Sequence, residues 1–368
     1  MRGHLRERSP GHWAIVIDVR DSQTGKRKRR WHSFTGNKRE AQVECSRLIT
    51  EAQTGAAVDP SRATVAEFLD RFERDWVALH TTQRTCERYA DSLNHVRKAF
   101  GDKKLQAVKP ADIAALYASL SRSGLATATI RHVHVVLHGA FKAAGEWGLV
   151  QNNPCDKARP PKLQNNEVKI LQPNEAKALL EKLRDTPLFL LASLALGTGA
   201  RRGELLALRW RDINLNTGRM TIERSLEQSG EFGVRSKAPK TKNGKRTISL
   251  PDHIVAGLGQ HWREQQEQRL ALGLGRAPDD APVLAAPDGA PLSPDTVSKQ
   301  WERAATGVTL HSLRHTHAST LLANGVDVLT VSRRLGHATP TITLSVYAHL
   351  IHGSDEKAAA VAGAAFGQ

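Results

Sequence analysis

The sequence predicts a multidomain protein that is mainly α-helical and carries small β-sheets. Three observations support this prediction: helical periodicity over residues 64–161, short strand-like segments on both sides of it, and a basic, proline-rich stretch at residues 154–161. We therefore divide the chain into an N-terminal domain at residues 1–60, a helical domain at residues 62–161 and a C-terminal domain at residues 169–368.

The chain of 368 residues is strongly basic, with 53 lysines and arginines against 37 aspartates and glutamates, a formal net charge of +16 and a pI of about 10.1. Basic groups that neutralise phosphates release condensed counterions, so this excess favours a nucleic acid as the partner. A basic surface without a partner and a protein bound to a membrane surface are the competing interpretations.

Neither a membrane span nor a disulfide framework is indicated. The longest apolar run, residues 188–196, falls short of the ~20 residues that a membrane-spanning helix needs. The charged N-terminus lacks the apolar stretch of a signal peptide. Cys45, Cys86 and Cys155 show neither a paired nor a metal-binding spacing. We expect a cytoplasmic protein with no membrane partner, no disulfide and no cysteine-based zinc site.

The N-terminal domain is predicted to be a small hairpin sheet backed by one helix. Residues 13–20 alternate as a strand does, residues 22–25 form a turn, and a helix follows at residues 37–54. The second strand, at residues 26–34, begins with a basic run that continues into aromatic side chains. This mixture favours a DNA-contacting strand over a solvated edge that blocks aggregation. The candidate DNA-binding residues of the run are Lys26, Arg27, Lys28, Arg29 and Arg30.

The middle domain is predicted to be helical throughout. Thr64 and Glu67 have the form of a capping box before a first helix. Three further helices fit residues 82–100, 109–121 and 127–147. The histidines of the last one, His132, His134 and His138, do not gather on one helical face, which favours partly exposed helix residues over a metal site.

The C-terminal domain is predicted to combine helices with one compact β segment. Helices fit residues 174–184 and 188–196, and the second is almost wholly apolar and therefore buried. Strands are expected at residues 219–226 and across a two-residue hairpin at Asn243-Gly244. Helices return from Pro294 to the end of the chain.

Arg201 is the first candidate for the chemistry of this domain. The apolar helix breaks at residues 197–199 and a new helix begins near Arg202, so Arg201 lies at a helix N-terminus, which favours an anion. Its guanidinium can hold two phosphate oxygens at once, and Glu204, one turn later, can orient it. The alternative is a surface ion pair.

The basic residues around Asn243-Gly244 form the second candidate. A hairpin tip can reach into a DNA groove and present Lys242, whose ammonium can donate a proton to a leaving oxygen. Lys240 and Lys245 flank it as candidate DNA contacts, and Lys240 is an alternative for the role of Lys242. A solvated loop is the competing interpretation.

A histidine and a second arginine follow on one helical face. His311 and Arg314 are three residues apart, so they share a face that suits a phosphate in a negatively charged transition state. His315 and His317 are expected to point elsewhere and to serve the structure.

The segment at residues 331–347 supplies the last two candidates. Gly336 is expected to close one helix, and Thr339 and Pro340 to open the next, which places His337 in the joint. Tyr347 lies on the second helix. It is the best nucleophile candidate because no serine or cysteine has a recognisable activated setting. A half-buried core tyrosine is the alternative.

Together these residue types suit metal-free phosphodiester transesterification, with no cofactor. Two arginines neutralise the phosphate, two histidines bond its oxygens, a lysine protonates the leaving 5′ oxygen and a tyrosine attacks phosphorus. At this point the chain resembles the tyrosine recombinase (phage integrase) family over nearly its whole length. The matching positions are Arg201, Glu204, Lys242, His311 and Arg314 as His-x-x-Arg, His337 as Leu-Gly-His, and Tyr347. Ala200, where a larger aliphatic residue is common, is a small departure.

The resemblance implies an architecture and a set of partners. It implies a tyrosine-recombinase catalytic fold of the α+β class, preceded by a helical core-binding domain and a small N-terminal sheet-and-helix domain that binds arm-type DNA sites. It also implies double-stranded attachment-site DNA as substrate, a homotetramer that exchanges strands through a Holliday junction, and a C-terminal tail that docks on a neighbouring protomer. The integration or excision of a mobile element would follow. Whether a DNA-bending protein or an excisionase assists stays open.

Three other functions compete with this interpretation. Residues 324–337 resemble a helix-turn-helix in which Arg333 and Arg334 would face a DNA groove, as in a non-catalytic regulator. A type IB topoisomerase would use the same chemistry, but it has no need of a separate basic N-terminal domain. A phosphatase or phospholipase acting on small esters would not explain the net charge of +16.

Overall fold

A computed structural model describes residues 3–20, 27–53, 61–163, 169–230, 233–238, 244–304, 307–348 and 354–366. The chain separates into two compact units, Met1–Asn165 and Asn166–Gln368. None of the described helices is long and apolar enough to cross a membrane. The proposed division into three domains remains a prediction.

The first unit begins with an antiparallel three-stranded sheet in the order β1-β2-β3, packed on one helix. These elements are β1 (Gly3–Ser9), β2 (His12–Arg20), β3 (Arg27–Thr35) and α1 (Lys38–Gln53). Ile15 and Ile17 of β2 pack against Cys45 and Leu48 of α1 in a small apolar cluster. The hairpin and helix agree with the sequence prediction. Strand β1 was not predicted, because its polar and charged side chains are mostly exposed.

Helices make up the rest of the first unit, as predicted. They are α2 (Val65–Phe72), a π-helical turn (Glu73–Val77), α3 (Ala78–His80), α4 (Gln83–Phe100), α5 (Pro110–Arg122) and α6 (Thr127–Glu146). The capping box is present, because the Thr64 hydroxyl accepts from the Glu67 amide at 3.2 Å and the Glu67 carboxylate accepts from the Thr64 amide at 2.8 Å. His134 bonds to the Tyr117 hydroxyl at 2.6 Å and His138 to Asp156 at 3.0 Å.

The second unit contains nine described helices and five described strands. The helices are α7 (Pro173–Leu183), α8 (Phe189–Thr198), α9 (Arg202–Leu206), α10 (Asp252–Ala271), α11 (Pro294–Ala304), α12 (Leu310–Ala323), α13 (Val328–Leu335), α14 (Pro340–Tyr347) and α15 (Ser354–Phe366). The strands are β4 (Ile213–Asn214), β5 (Arg219–Ile222), β6 (Ser225–Ser229), β7 (Gly233–Lys237) and β8 (Arg246–Ser249). Helix α10 was not predicted from the sequence, since only Ile254, Leu258 and Gln265 of its residues are buried.

The strand pairing corrects one prediction. The described strands form one sheet in the order β4-β5-β8 and a separate ribbon of β6 and β7. The chain on the two sides of Asn243-Gly244 therefore enters different sheets, and the hairpin lies one connection earlier, between β6 and β7. The Asn-Gly signal is local, whereas pairing is decided by contacts between distant segments. Lys240, Lys242 and Asn243 lie outside the described residues.

The core of the second unit positions the ends of several helices near one another. Helix α8 is buried, as predicted, and α12 packs beside it. A second apolar cluster joins α12, α13 and α14 through Leu322, Val331, Leu335 and Tyr347. This packing brings the C-terminal ends of α8 and α13 towards the same face of α12.

Candidate active site

The end of α8 fixes the position of Arg201. Helix α8 closes on Gly199, whose φ of 66° lies in the left-handed region. A Cβ at Gly199 would lie 2.6 Å from the His317 ring and 2.7 Å from Leu335, so only glycine fits there. The chain then turns, and Arg201 becomes the N-cap residue of α9, as the sequence predicted.

A buried carboxylate orients the Arg201 side chain. Glu204 accepts from the Arg201 guanidinium at 2.9 Å and from the Arg201 amide at 2.8 Å. It also accepts from the Arg246 guanidinium at 2.8 Å, and both side chains of that pair are almost fully buried. Burial alone would raise the pKa of Glu204, but the hydrogen bond and charge of Arg246, with a smaller contribution from Arg201, hold it below its usual value. Glu204 is therefore a carboxylate shared by two arginines.

Arg246 was missed in the sequence. It follows Lys245 in a basic run, so its contact with Glu204 depends on strand β8 lying beside α9. Lys245, one of the predicted DNA contacts, is exposed and pairs with Glu223 at 2.7 Å. Lys245, just before β8, and Arg246, the first residue of β8, thus point to different surroundings.

Arg314 is held by two carbonyl groups at helix ends. Its guanidinium donates to the Gly199 oxygen at 2.7 Å and to the Leu335 oxygen at 2.8 Å. The C-terminal ends of α8 and α13 carry partial negative charge, which stabilises a cation there. Burial, followed by the charge of Arg201, lowers the pKa of Arg314 to about 9, so the group remains charged near neutral pH.

His337 lies in the joint between α13 and α14, as predicted. Gly336 ends α13 with a φ of 67°, and Thr339 and Pro340 begin α14. The Nδ1 atom of His337 is 2.8 Å from the Thr343 hydroxyl. Burial, followed by the charges of Arg314 and Arg201, lowers the pKa of His337 to about 4, so the ring is neutral near pH 7.

Tyr347 is buried, and its hydroxyl reaches His315 on α12. Only 2% of Tyr347 is exposed, and its hydroxyl oxygen is 2.7 Å from Nδ1 of His315. The expectation that His315 points elsewhere is wrong, because a residue four positions after His311 lies one turn later on nearly the same face. The ring centroids of His311 and His315 are 4.7 Å apart. Burial raises the pKa of Tyr347 to about 12, partly offset by Arg314.

Five of the predicted catalytic residues line one cavity of about 550 Å³. They are Arg201, His311, Arg314, His337 and Tyr347. Glu204, the predicted supporting residue, and His315 line the same cavity. Gly244 borders it, whereas Lys242 and Lys240 lie outside the described residues. The Glu204 carboxylate is hydrogen-bonded to Arg201 and Arg246, and Arg314 adds a third positive charge nearby, so the cavity favours an anion.

The remaining candidates are placed as follows. In β3, Arg29 is exposed and lies 3.5 Å from Asp18, while Lys26 is outside the described residues. Trp31 of the same strand is more than half exposed. No group of His, Cys, Asp and Glu side chains within the described ranges is arranged to hold a metal ion.

The helix-turn-helix interpretation does not suit the second of its two arginines. Arg334 turns into the protein, where its guanidinium donates to the Gly197 oxygen at 2.9 Å and the Ser249 oxygen at 3.0 Å. It also donates to His317 at 3.1 Å. A side chain engaged in this way does not face a DNA groove.

Comparisons with known proteins agree with the fold and show the family. The model of the phage integrase family matches residues 169–352. A "Tyrosine recombinase XerC-like" protein of Caldanaerobacter subterraneus subsp. tengcongensis is 26% identical over 365 residues, which cover 92% of this chain and 93% of that protein. The Tn1549 transposon integrase, solved in complex with a circular intermediate DNA, aligns with a TM-score of 0.67 at 19% identity, over 81% of this chain and 98% of that one. A lambda integrase tetramer bound to a Holliday junction aligns with a TM-score of 0.59 at 21% identity, over 93% and 94% of the two chains. At these identities the solved structures show the fold.

Proposed function

Because the chain belongs to the phage integrase family and is a tyrosine-type site-specific recombinase, we propose that it cuts and rejoins DNA through a 3′-phosphotyrosyl bond at Tyr347. The observation that carries this proposal is the shared cavity, where the Tyr347 hydroxyl lies among two arginines and three histidines. A phosphodiester in that cavity would meet both a nucleophile and the positive charge that its transition state needs. The covalent bond conserves the energy of the broken phosphodiester, so rejoining needs no nucleotide cofactor.

Arg201 and Arg314 are proposed to bind the non-bridging oxygens of the scissile phosphate. Both guanidiniums are already held by protein groups, Arg201 by Glu204 and Arg314 by helix-end carbonyls. Held in this way, they need little rearrangement when negative charge develops on the phosphate. His311 and His337, which line the same cavity, are proposed to bond the phosphate oxygens as well.

Lys242 is proposed to protonate the leaving 5′ oxygen, with Lys240 as the alternative. A lysine ammonium on a flexible stem suits proton donation to an alkoxide. Supporting this, Gly244 lines the cavity only two positions after Lys242 in the sequence.

The proposed substrate is double-stranded attachment-site DNA, bound by a homotetramer in the cytoplasm. The net charge of +16 favours a polyanionic partner. We propose that residues 1–60 bind arm-type sites, that residues 62–161 bind the core site and that residues 169–368 carry out catalysis. In the first of these domains residues 26–30 would contact DNA, and in the last Lys245 would contact DNA beside the cavity. Supporting the tetramer and the role in a mobile element, the related structures are a lambda integrase tetramer on a Holliday junction and a transposon integrase.

A search for a covalent protein–DNA adduct tests the proposal. Wild type and Tyr347→Phe are incubated with DNA fragments that flank the coding sequence, denatured and separated on a gel. We expect an adduct for wild type and none for Tyr347→Phe, with equal DNA binding by both. Sequencing the attached DNA would then identify the site. An adduct formed by Tyr347→Phe would refute the nucleophile assignment, and tight binding without an adduct for either protein would favour a regulator.

A further inference from the structure

We propose that His315 is a catalytic residue that accepts the hydroxyl proton of Tyr347 during cleavage and returns it during rejoining. This inference rests on the proposed role of Tyr347 as the nucleophile. The observation behind it is direct: the hydroxyl oxygen of the buried tyrosine lies 2.7 Å from Nδ1 of His315. A proton acceptor must be within hydrogen-bond reach of the proton it removes, and His315 meets that condition.

His311, another base that lines the cavity, stacks edge-on against the His315 ring at 4.7 Å between centroids, and the remaining bases have partners of their own. Nδ1 of His337 bonds to Thr343, and Glu227 pairs with Lys237 at 3.3 Å. Glu204 accepts hydrogen bonds from two arginines, which hold it as a carboxylate of low basicity. Among the described cavity residues, His315 is therefore the group whose geometry suits removal of the tyrosine proton.

The surroundings of His315 keep its ring neutral and able to accept. His311 and Arg314 face it from α12, His337 from the joint and Tyr347 from α14. Burial, followed by the nearby His311 and Arg314, lowers the pKa of His315 to about 4. A phosphate between the arginines would offset their positive charge and make the ring more basic as the tyrosine attacks. With Nε2 protonated, the lone pair of Nδ1 would face the phenol.

The proposed step balances in both directions. In cleavage, the Tyr347 oxygen forms a bond to phosphorus, the bond from phosphorus to the 5′ oxygen breaks, and the phenol proton moves to Nδ1 of His315. The leaving 5′ oxygen takes its proton from a separate acid, for which Lys242 is proposed. In rejoining, the 5′ hydroxyl forms a bond to phosphorus and returns its proton to the amine of the proposed Lys242, the bond from phosphorus to the Tyr347 oxygen breaks, and protonated His315 gives its proton to that departing oxygen.

Two variants of His315 and one matched control separate this role from a structural one. His315→Asn places an amide near the position of Nδ1, so it can hold the phenol but cannot accept its proton. His315→Ala removes both functions and leaves space for added imidazole. The control, His311→Asn, makes the same replacement on the same helix at a histidine that lies beside His315 rather than on the tyrosine hydroxyl.

The assay measures the rate of adduct formation against pH on a nicked, end-labelled duplex with the sequence recovered from the wild-type adduct. General base catalysis contributes about 10²–10⁴-fold, so both His315 variants should lose at least ~100-fold near pH 7. Without a base, attack requires the phenolate, so their rates should rise about tenfold per pH unit between about pH 6 and pH 9. For wild type and for the control His311→Asn, the rate of adduct formation should be nearly independent of pH over the same range, although His311→Asn should be slower at every pH. Imidazole should partly restore His315→Ala.

The outcomes distinguish this inference from the proposed function. A wild-type adduct together with a His315→Asn profile of wild-type shape would overturn the role of His315 and leave Tyr347 as the nucleophile. A steep profile in His311→Asn would assign the proton to His311 instead. If wild type forms no adduct on any tested DNA, the proposed function itself fails. Circular dichroism and DNA affinity, unchanged in each variant, establish that the fold is intact.

Discussion

Glu204→Gln removes the negative charge around which the arginines of the cavity are arranged. The wild-type carboxylate receives four hydrogen bonds, two from Arg201 and two from Arg246, at 2.8–3.3 Å. Glutamine keeps one acceptor oxygen and turns an amide NH₂ towards an arginine. Arg246, whose side chain is only 7% exposed, is then left without a counterion.

The expected loss of stability follows from these contacts. A hydrogen bond to a charged group contributes about 1.5–3 kcal/mol, and removing one partner of a buried ion pair costs about 3–5 kcal/mol. We therefore expect the free energy of unfolding to fall by about 3 kcal/mol. The pKa of Glu204 is lower in the folded protein than in the unfolded chain, so its contribution to stability is full above the unfolded pKa of about 4.3 and is lost as the pH falls through the folded pKa. The free energy of unfolding of Glu204→Gln should therefore lack this pH-dependent contribution.

Equilibrium unfolding in urea, followed by circular dichroism, measures this loss. The matched control is Glu181→Gln, which breaks an exposed pair with Arg184 on α7. Exposed pairs contribute about 0–1 kcal/mol, so the control should shift the unfolding midpoint little. If Glu204→Gln is no more destabilising than the control, the buried carboxylate does not organise the arginines, and the electrostatic account of the cavity is wrong.

Other perturbations give further tests. Gly199→Ala should lower the free energy of unfolding by about 1–3 kcal/mol because the added Cβ would approach the His317 ring too closely. The control Gly257→Ala, in open space on α10, should raise it by up to about 1 kcal/mol. Equilibrium unfolding in urea measures both changes. Burial lowers the pKa of His317 to about 4, so the wild-type unfolding free energy should fall as pH decreases from about 6.5, and less steeply in His317→Asn. Arg314→Lys should slow adduct formation by about 10²-fold or more at unchanged DNA affinity, measured by gel and filter binding. Deleting residues 1–60 should remove binding to arm-type DNA and spare the core site; loss of both in a gel-shift assay would contradict the domain division.

The sequence predicted best what local rules determine. Arg201 was placed at a helix N-terminus from the glycines before it, and His337 between two helices from Gly336 and Pro340. His311 and Arg314 follow from helical spacing alone. Each of these signals extends over less than two helical turns, which is the range over which capping and periodicity act.

Contacts between segments far apart in the sequence could not be predicted from such local signals. Arg246 meets Glu204 across 42 residues of sequence, from a strand that pairs with β5, and neighbouring Lys245 carries the same sequence signal. The hairpin assigned to Asn243-Gly244 was wrong for the same reason. His315 is a different case: its spacing from His311 was available in the sequence, and the geometry of an α-helix would have placed it on the cavity side.

The packing of the cavity itself argues for an anionic substrate. Arg314 is fixed by carbonyls at two helix ends, and Arg201 by a carboxylate that it shares with Arg246. Three guanidiniums therefore lie near one buried carboxylate. Burial and these neighbours lower the pKa of Arg314 to about 9 and that of His337 to about 4, which means that the folded cavity disfavours any further positive charge. A neutral ligand would leave this repulsion in place, and a metal cation would increase it. A phosphodiester relieves it, and relieves it most when negative charge builds up on the phosphate oxygens, which is the condition for catalysis by a preorganised site.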